Sequence, residues 1–290
     1  MKSVSVVIPT FNHGQFITAA IDSVHRSFDI NAEIIVVNDG STDNTRELIK
    51  DDNRIIYYEQ ENMGAHEALN FGIGRSSYDI VAILNDDDLY MPNHLINAVL
   101  TMQSVNADIF IGRAAPFGCG KLLESINHHI EVCDRRIEKY GLLESLTLLN
   151  FAVSTSSLVM KKDVYSRSAG FRNLSMCHDF EFILSCVINS NVNIFYSKQA
   201  SWAYRIHDTN TSSTIAEEMR NAQWFYALIS NMINAPKHYV RFVKDYGSLI
   251  GLTAIIYKDL SEIFQKNALR DNPESCIQEF IDYFVRLENY

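Results

Sequence analysis

The sequence predicts an α/β protein: a mostly parallel sheet flanked by helices, followed by a helical extension at the C-terminal end of its 290 residues. Three observations lead there. Over the first 112 residues, short apolar runs alternate with segments of helical period. The runs are continuous and rich in β-branched residues, the pattern of strands buried on both faces. Polar residues follow the strands (Thr10 and Asn12, Asn38 and Asp39, then Asp86, Asp87 and Asp88), and in open α/β sheets ligands bind beyond the carboxyl ends of the strands.

Residues 4–8 form the first strand, and residues 14–28 a helix whose buried face is Phe16, Ile17, Ala20, Ile21 and Val24. A strand at 33–37 leads to a helix at 42–50, entered through Ser41 or Thr42 as N-cap. Strands at 55–58, 80–84 and 108–111 alternate with helices at 65–72 and 92–102, the last opened by Pro92. Residues 113–150 read as a loop around Pro116, Gly118 and Gly120 and then a helix near 140–149. A strand at 157–160, helices from Asp163 and over 179–189, and a strand at 193–204 follow. From Ser213 the pattern is helical: Trp224, Phe225, Leu228, Ile229, Met232 and Ile233 make one apolar face, Ile277, Phe280, Ile281 and Phe284 another, and Pro236 and Pro273 punctuate the run. The division is residues 1–214 and 215–290, with the helical stripes packing on the first domain, on a second copy as a homo-oligomer, or on a membrane surface.

A net charge of −10 provides no basic stripe to displace counterions from a nucleic acid, so none is expected as a partner. An acidic protein that binds a phosphorylated ligand needs a metal ion for much of the positive field. Five scattered cysteines without a CxxC pair read as reduced thiols. The first residues read as a strand, not as a secretory signal, and the uncharged run at 246–257 is too short to span a bilayer. The expectation is a cytoplasmic protein whose membrane contact, where made, is peripheral and at the inner face.

The aspartate triplet stands between the apolar run at 78–84 and the helix opened by Pro92. Two unit charges about 4 Å apart repel by about 4 kcal/mol at an effective dielectric near 20, so carboxylates gathered in a cleft call for a cation. Oxygen ligands on a tight loop suit Mg²⁺ or Mn²⁺. The same triplet would also serve as a solvated turn or stabilise a helix N-terminus. The shared rim favours a ligand site, since solvation alone does not require the polar groups to converge.

The segments Ser5-Val6-Val7-Ile8-Pro9-Thr10-Phe11-Asn12, Val36-Val37-Asn38-Asp39-Gly40-Ser41-Thr42-Asp43, Asn62-Met63-Gly64 with Asn70, and Leu84-Asn85-Asp86-Asp87-Asp88 resemble, in order and spacing, the family-2 inverting glycosyltransferases of the GT-A fold. The likeness continues through Gly170-Phe171, His178-Asp179-Phe180-Glu181 and Tyr204-Arg205-Ile206-His207 with Ser212. It implies a nucleotide-sugar donor, an Mn²⁺ or Mg²⁺ cofactor, and a glycan or lipid-linked acceptor.

Residue by residue, the resemblance implies that Pro9, Thr10, Asn12 and Asn70 meet the donor and that Asp39 reads its base. A carboxylate accepts the ring N–H of uracil or thymine, so the expected donor is UDP- or dTDP-linked; Asp39 also suits a turn and cap. Asn85 departs from the family's usual aspartate and leaves Asp87 as the best match for the metal ligand, with Asp86 or Asp88 contacting the ribose or supporting the metal from behind. His207 approaches the metal or the diphosphate; neutral it ligates, protonated it donates. Asp179 is the implied base and also suits a helix cap, with Glu181 as the alternative. His178 stands where an acidic residue is common, and Leu69 where many members carry arginine, so a phosphate contact would fall to Arg75 or Arg205.

The implied reaction is one displacement at the anomeric carbon, assisted by one base, with inversion of configuration. Two other readings are a binding module without turnover, suggested by Asn85 and His178, and a sugar nucleotidyltransferase. The second would want a Gly-rich basic loop where this chain has Pro9-Thr10-Phe11-Asn12-His13-Gly14.

Overall fold

The computed structural model describes residues 2–233, apart from 28, 120, 147–149, 190–191, 212–214 and 216. Eight strands form one sheet: β1 (Lys2–Thr10), β2 (Ile30–Asn38), β3 (Ile56–Glu59), β4 (Ile80–Ile83), β5 (Leu89–Tyr90), β6 (Ile109–Phe117), β7 (Leu158–Lys161) and β8 (Ile194–Arg205), in the order β3-β2-β1-β4-β7-β6-β8-β5. The helices are α1 (Gly14–His25), α2 (Thr45–Ile49), α3 (Ala65–Arg75), α4 (His94–Ser104), α5 (Lys121–Tyr140), α6 (Leu142–Leu146), α7 (Lys162–Arg167), α8 (His178–Asn189) and α9 (Glu217–Ile233). β1 pairs in parallel with β2 and β4, and β2 with β3. β7 runs antiparallel to both β4 and β6, so the sheet is mixed in its second half.

The apolar runs bury both faces. Val4, Val6 and Ile8 of β1 join Ile17, Ile21 and Val24 of α1 and Leu95 and Val99 of α4 on one side. Val7 points the other way, to Leu69 and Ile73 of α3 and to a cluster that includes Phe180 and Ile183 of α8. A Cβ on Gly72 would lie 2.5 Å from Val7 Cγ1, so glycine sets how closely α3 approaches the sheet. Trp224 of α9 stacks 6.0 Å from Phe180, which places the first apolar stripe of the helical region on α8. The second stripe, at 277–284, lies outside the described residues. No helix among the described residues is long and apolar enough to cross a membrane.

Two expectations need correction. The loop expected at 113–120 is largely strand: β6 continues through Pro116 to Phe117, paired with β8. β7 pairs with β6 only at Ile109, Phe110 and Ile111, so Pro116 stands where one edge of the strand has no ladder partner among the described residues. Residues 121–140, to which the sequence assigned no element between that loop and the helix near 140–149, are helix α5. Its Leu122, Ile126, Ile130, Cys133 and Ile137 recur at helical spacing and join the core, but the many charged residues and histidines around them mask that period.

Candidate functional site

Two adjoining hollows open at the carboxyl rim of the sheet. The larger, of about 440 Å³, is lined by Pro9, Thr10, Phe11 and His13 beyond β1, Asp39 beyond β2, and Asp86. The smaller, of about 120 Å³, is bounded by Val153, Ser154, Thr155, Met176, Asp179 and Tyr204. Asn85, Asp87, Ser175, His178 and Thr211 line both. Parallel pairing aligns Thr10 with Asn38, so the chain leaves both strands at one level and delivers Asp39 beside Thr10, whose carbonyl accepts the Asp39 N–H at 2.9 Å.

Asp39 is held by three donors. Oδ1 accepts from Gln60 Nε2 at 2.7 Å and from the Met63 N–H at 2.9 Å, and Oδ2 accepts from the Gly64 N–H at 2.8 Å. Gly64 has φ +93°, a backbone state that favours glycine. Oδ2, with one donor, keeps lone-pair capacity for a ligand.

The three aspartates diverge. Asp86 is buried, and its Oδ1 lies 2.8 Å from His13 Nδ1. Burial raises its pKa, against the opposing effect of His13. Burial lowers the pKa of His13, but Asp86, Asp87 and Asp43 outweigh it and the net shift is upward. Asp87 turns to the open cleft, with Oδ2 3.0 Å from His207 Nε2. Asp88 points inward: Oδ1 accepts from the Arg205 N–H at 3.0 Å and Oδ2 from Ser156 Oγ at 2.6 Å. Burial and then Asp87 raise its pKa well above the ordinary value. It is fully buried with a donor on each oxygen, so Asp88 is corrected from a metal ligand to a brace behind the cleft: its oxygens secure the loop to β8 and to the 154–156 turn, whereas His207, which likewise lines neither hollow, meets Asp87 directly.

Asn85 has a local explanation. Its Nδ2 donates to Ser154 Oγ at 3.0 Å, its Oδ1 accepts from Thr155 Oγ1 at 2.7 Å, and its N–H donates to Ser156 Oγ at 2.9 Å. An aspartate could not make the side-chain donation.

Asn12 and Asn70, expected to contact a donor, line neither hollow. Asn12, at φ +56°, accepts the N–H groups of Thr42 (2.7 Å) and Asp43 (3.3 Å) and so braces the segment after β2. Asn70 donates to the Phe171 carbonyl and accepts the Phe171 N–H, both at 2.9 Å, tying α3 to the Gly170-Phe171 segment. Leu69 is in the core, where a guanidinium would have no exit to the cleft. Arg75 stacks over Phe71 and Tyr58, while Arg205 donates from Nε to the Asp87 carbonyl at 2.7 Å and lies between Phe16 and Phe117. Neither arginine lines the hollows.

Asp179 is the second residue of α8, not its cap, where the partial positive end of the helix favours a carboxylate. It is 4% exposed; Oδ2 accepts from Asn150 Nδ2 at 2.8 Å, and buried Oδ1 has no hydrogen-bond partner among the described residues. His178 donates from Nδ1 to the Leu174 carbonyl at 2.9 Å, which leaves Nε2 as the acceptor nitrogen. Glu181 faces away from the cleft, toward Arg172 (3.4 Å) and Asn231 of α9 (3.2 Å), and burial raises its pKa. The alternative assignment of Glu181 as base therefore has no support from its position.

Among the described residues, the hollows are lined by carboxylates, imidazoles and neutral groups, without lysine or arginine. A diphosphate there would need a cation. Asp87 Oδ2 and His207 Nε2 offer an oxygen and a nitrogen at 3.0 Å, the spacing of adjacent ligands around an ion with bonds of about 2.1 Å. No group of three or more metal-binding side chains occurs among the described residues. His13, Asn150 and the Ser154-Thr155-Ser156 turn escaped sequence reasoning. His13 had a signal in its place directly after Asn12; the other two lie in a stretch with no periodic pattern.

The chain is similar to known glycosyltransferases. A glycosyltransferase of Rickettsia typhi, itself uncharacterized, is 28% identical over 273 residues, 91% of this chain and 80% of that protein. Glycosyltransferase GlyA of Streptococcus pneumoniae is 25% identical over 238 residues, 79% of this chain but 33% of that protein. S. aureus TarS 1–349 in complex with UDP-GlcNAc superposes with a TM-score of 0.63 at 18% identity, covering 81% of this chain and 67% of that one. The mannosyltransferase PcManGT from Pyrobaculum calidifontis, in complex with GDP-Man and Mn²⁺, superposes with a TM-score of 0.61 at 16% identity, covering 99% and 80%. These structures share the GT-A fold. The family model described as glycosyl transferase family 2 matches residues 5–167, more than half of the chain, and the chain belongs to that family.

Proposed function

We propose that the chain is a metal-dependent inverting glycosyltransferase, moving a hexosyl or N-acetylhexosaminyl group from a UDP-linked donor to a hydroxyl of a glycan or lipid-linked acceptor in surface polysaccharide or glycoconjugate synthesis. The observation that carries it is Asp179: a buried carboxylate with one unpartnered oxygen in the wall of the smaller hollow, which shares Asp87 with the larger one. Pro9, Thr10 and Asp39 seat the nucleoside, Asp39 offering Oδ2 to a uracil N–H. Asp86 lies beside Thr10 in the larger hollow and serves as a further donor contact.

Asp87 and His207 are the residues that would hold Mn²⁺ or Mg²⁺, which when bound supplies Lewis-acid stabilisation of the leaving diphosphate. Asp179 takes the proton of the acceptor hydroxyl, whose oxygen attacks the anomeric carbon as the bond to the diphosphate breaks. A single displacement inverts that centre and needs one base, with Asp87 assigned to the ion, unlike the acid and base carboxylates of a glycoside hydrolase. UDP and GDP donors both occur among the structural neighbours, and a carboxylate at Asp39 with lone-pair capacity on Oδ2 suits a base that carries a ring N–H, as uracil does.

Asp179→Asn tests the assignment. Transfer should fall by on the order of 100-fold or more while calorimetric UDP affinity in Mn²⁺ stays close to wild type. Full transfer by that variant would remove Asp179 from the role. Chelation by EDTA should abolish UDP binding, with Mn²⁺ restoring it; unchanged binding in EDTA would remove the ion.

A further inference from the structure

The geometry points to Asn150 as a positioning residue for the proton-accepting carboxylate: its amide holds Asp179 so that Oδ1 alone is presented to the acceptor hydroxyl. This rests on the reading of Asp179 as the base. The Asn150 side chain lines neither hollow, so it acts through Asp179 and not on substrate.

Asp179 Oδ2 accepts from Asn150 Nδ2 at 2.8 Å, while Oδ1 is buried in the wall of the smaller hollow without a partner among the described residues. One oxygen is thus fixed and the other left for a ligand. The amide cannot exchange its ends. Asn150 Oδ1 accepts the Ala152 N–H at 3.2 Å, so a flip would set its NH₂ against that N–H and its carbonyl against the carboxylate. The backbone is braced as well: His129 Nε2 of α5 lies 2.9 Å from the Asn150 carbonyl and donates to it. A line of contacts therefore runs from α5 through Asn150 to Asp179.

The consequence for the reaction is geometric. As the acceptor oxygen forms its bond to the anomeric carbon and the diphosphate leaves with the electrons of the broken bond, the hydroxyl proton passes to Asp179 Oδ1. Rotation of the carboxylate about its last torsion would lengthen that path. The Asn150 N–H opposes rotation and keeps Oδ1 on that path.

Asn150→Asp keeps the side-chain shape and the acceptor for Ala152 but replaces the donor with an oxygen; Asn150→Ala removes both. The assay measures UDP release in Mn²⁺ from whichever of UDP-glucose, UDP-galactose and their N-acetylamino forms the wild type turns over fastest, with calorimetric UDP affinity alongside. The expected result for both variants is a kcat lower by roughly 10- to 100-fold, with donor KM and UDP affinity unchanged. A wild-type kcat in either variant, with Asp179→Asn inactive, overturns the inference, as does a loss of UDP affinity in step with kcat. A wild-type kcat in Asp179→Asn overturns the underlying reading instead. The crystal structure of Asn150→Ala gives a second measure that needs no turnover: Oδ1 should swing out of the hollow, and an unmoved carboxylate overturns the inference.

Discussion

Acid should weaken this fold through one histidine remote from the cleft. His94 is 1% exposed, stacks 4.1 Å from Tyr90, has Nδ1 2.9 Å from Ser201 Oγ, and has a buried Nε2 with no partner among the described residues. Burial pushes its pKa down to about 3, against about 6.5 for a histidine in an unfolded chain. The unfolded state therefore takes up the proton first. The contribution of neutral His94 is complete above about pH 6.5 and is lost as pH falls toward 3, at about 1.4 kcal/mol per pH unit. Between pH 7.5 and pH 5 the loss is roughly 2 kcal/mol, a sizeable share of a typical 5–15 kcal/mol. Buried Asp86, Asp88 and Glu181 work in the opposite sense, since their raised pKa values favour the folded state in acid. A mutant comparison removes them. His94→Phe retains a ring against Tyr90 but does not titrate, so urea denaturation of both proteins at the two pH values isolates the histidine. Wild type should lose roughly 2 kcal/mol more than the variant. Equal losses would mean that His94 is hydrated or charged in the folded protein.

Gly72→Ala should destabilise the fold by about 1–2 kcal/mol: a Cβ 2.5 Å from Val7 Cγ1 and 3.2 Å from Val37 Cγ2 forces α3 away from the sheet, and this outweighs the gain in helix propensity. A urea midpoint at or above wild type would show that α3 shifts without penalty. Asp39→Asn should cost about 1–3 kcal/mol of stability and weaken UDP binding, because an amide, whichever way it turns, sets its NH₂ against at least one of the three N–H groups that converge there. Calorimetry showing wild-type UDP affinity would separate Asp39 from base recognition.

How much could be read from the sequence depended on how a residue's environment is determined. Strands β1, β2 and β4 were legible because their apolar runs must bury both faces, and this places the segments after them on one rim whatever the loop details. Helix α5 was not, because its two buried and three partly buried apolar residues are outnumbered by polar ones and its end is close to the Gly141 break. β5 has two residues, too few for any period. In the site, residue type was informative and direction was not. Asp87 and Asp88 are neighbours of the same kind, yet one meets the cleft and the other is enclosed by Ser156 and Arg205. Asn12 and Asn70 likewise belong to the recognisable segments but use their amides within the fold. Such choices are made by side-chain torsions and by partners about 70 to 120 positions away, as with Asn85 and Ser156 or Asp87 and His207.

The partition that Asn85 builds with Ser154, Thr155 and Ser156 limits how this enzyme can change. Ser154 and Thr155, which border the smaller chamber, also hold the acidic bend in place through Asn85, so drift at those positions would disturb both compartments together. Val153 and Met176 border the same chamber, and their side chains take no part in those bonds. New preferences for what enters there should accordingly arise through exchanges at these two apolar positions, with the neighbouring compartment left as it was.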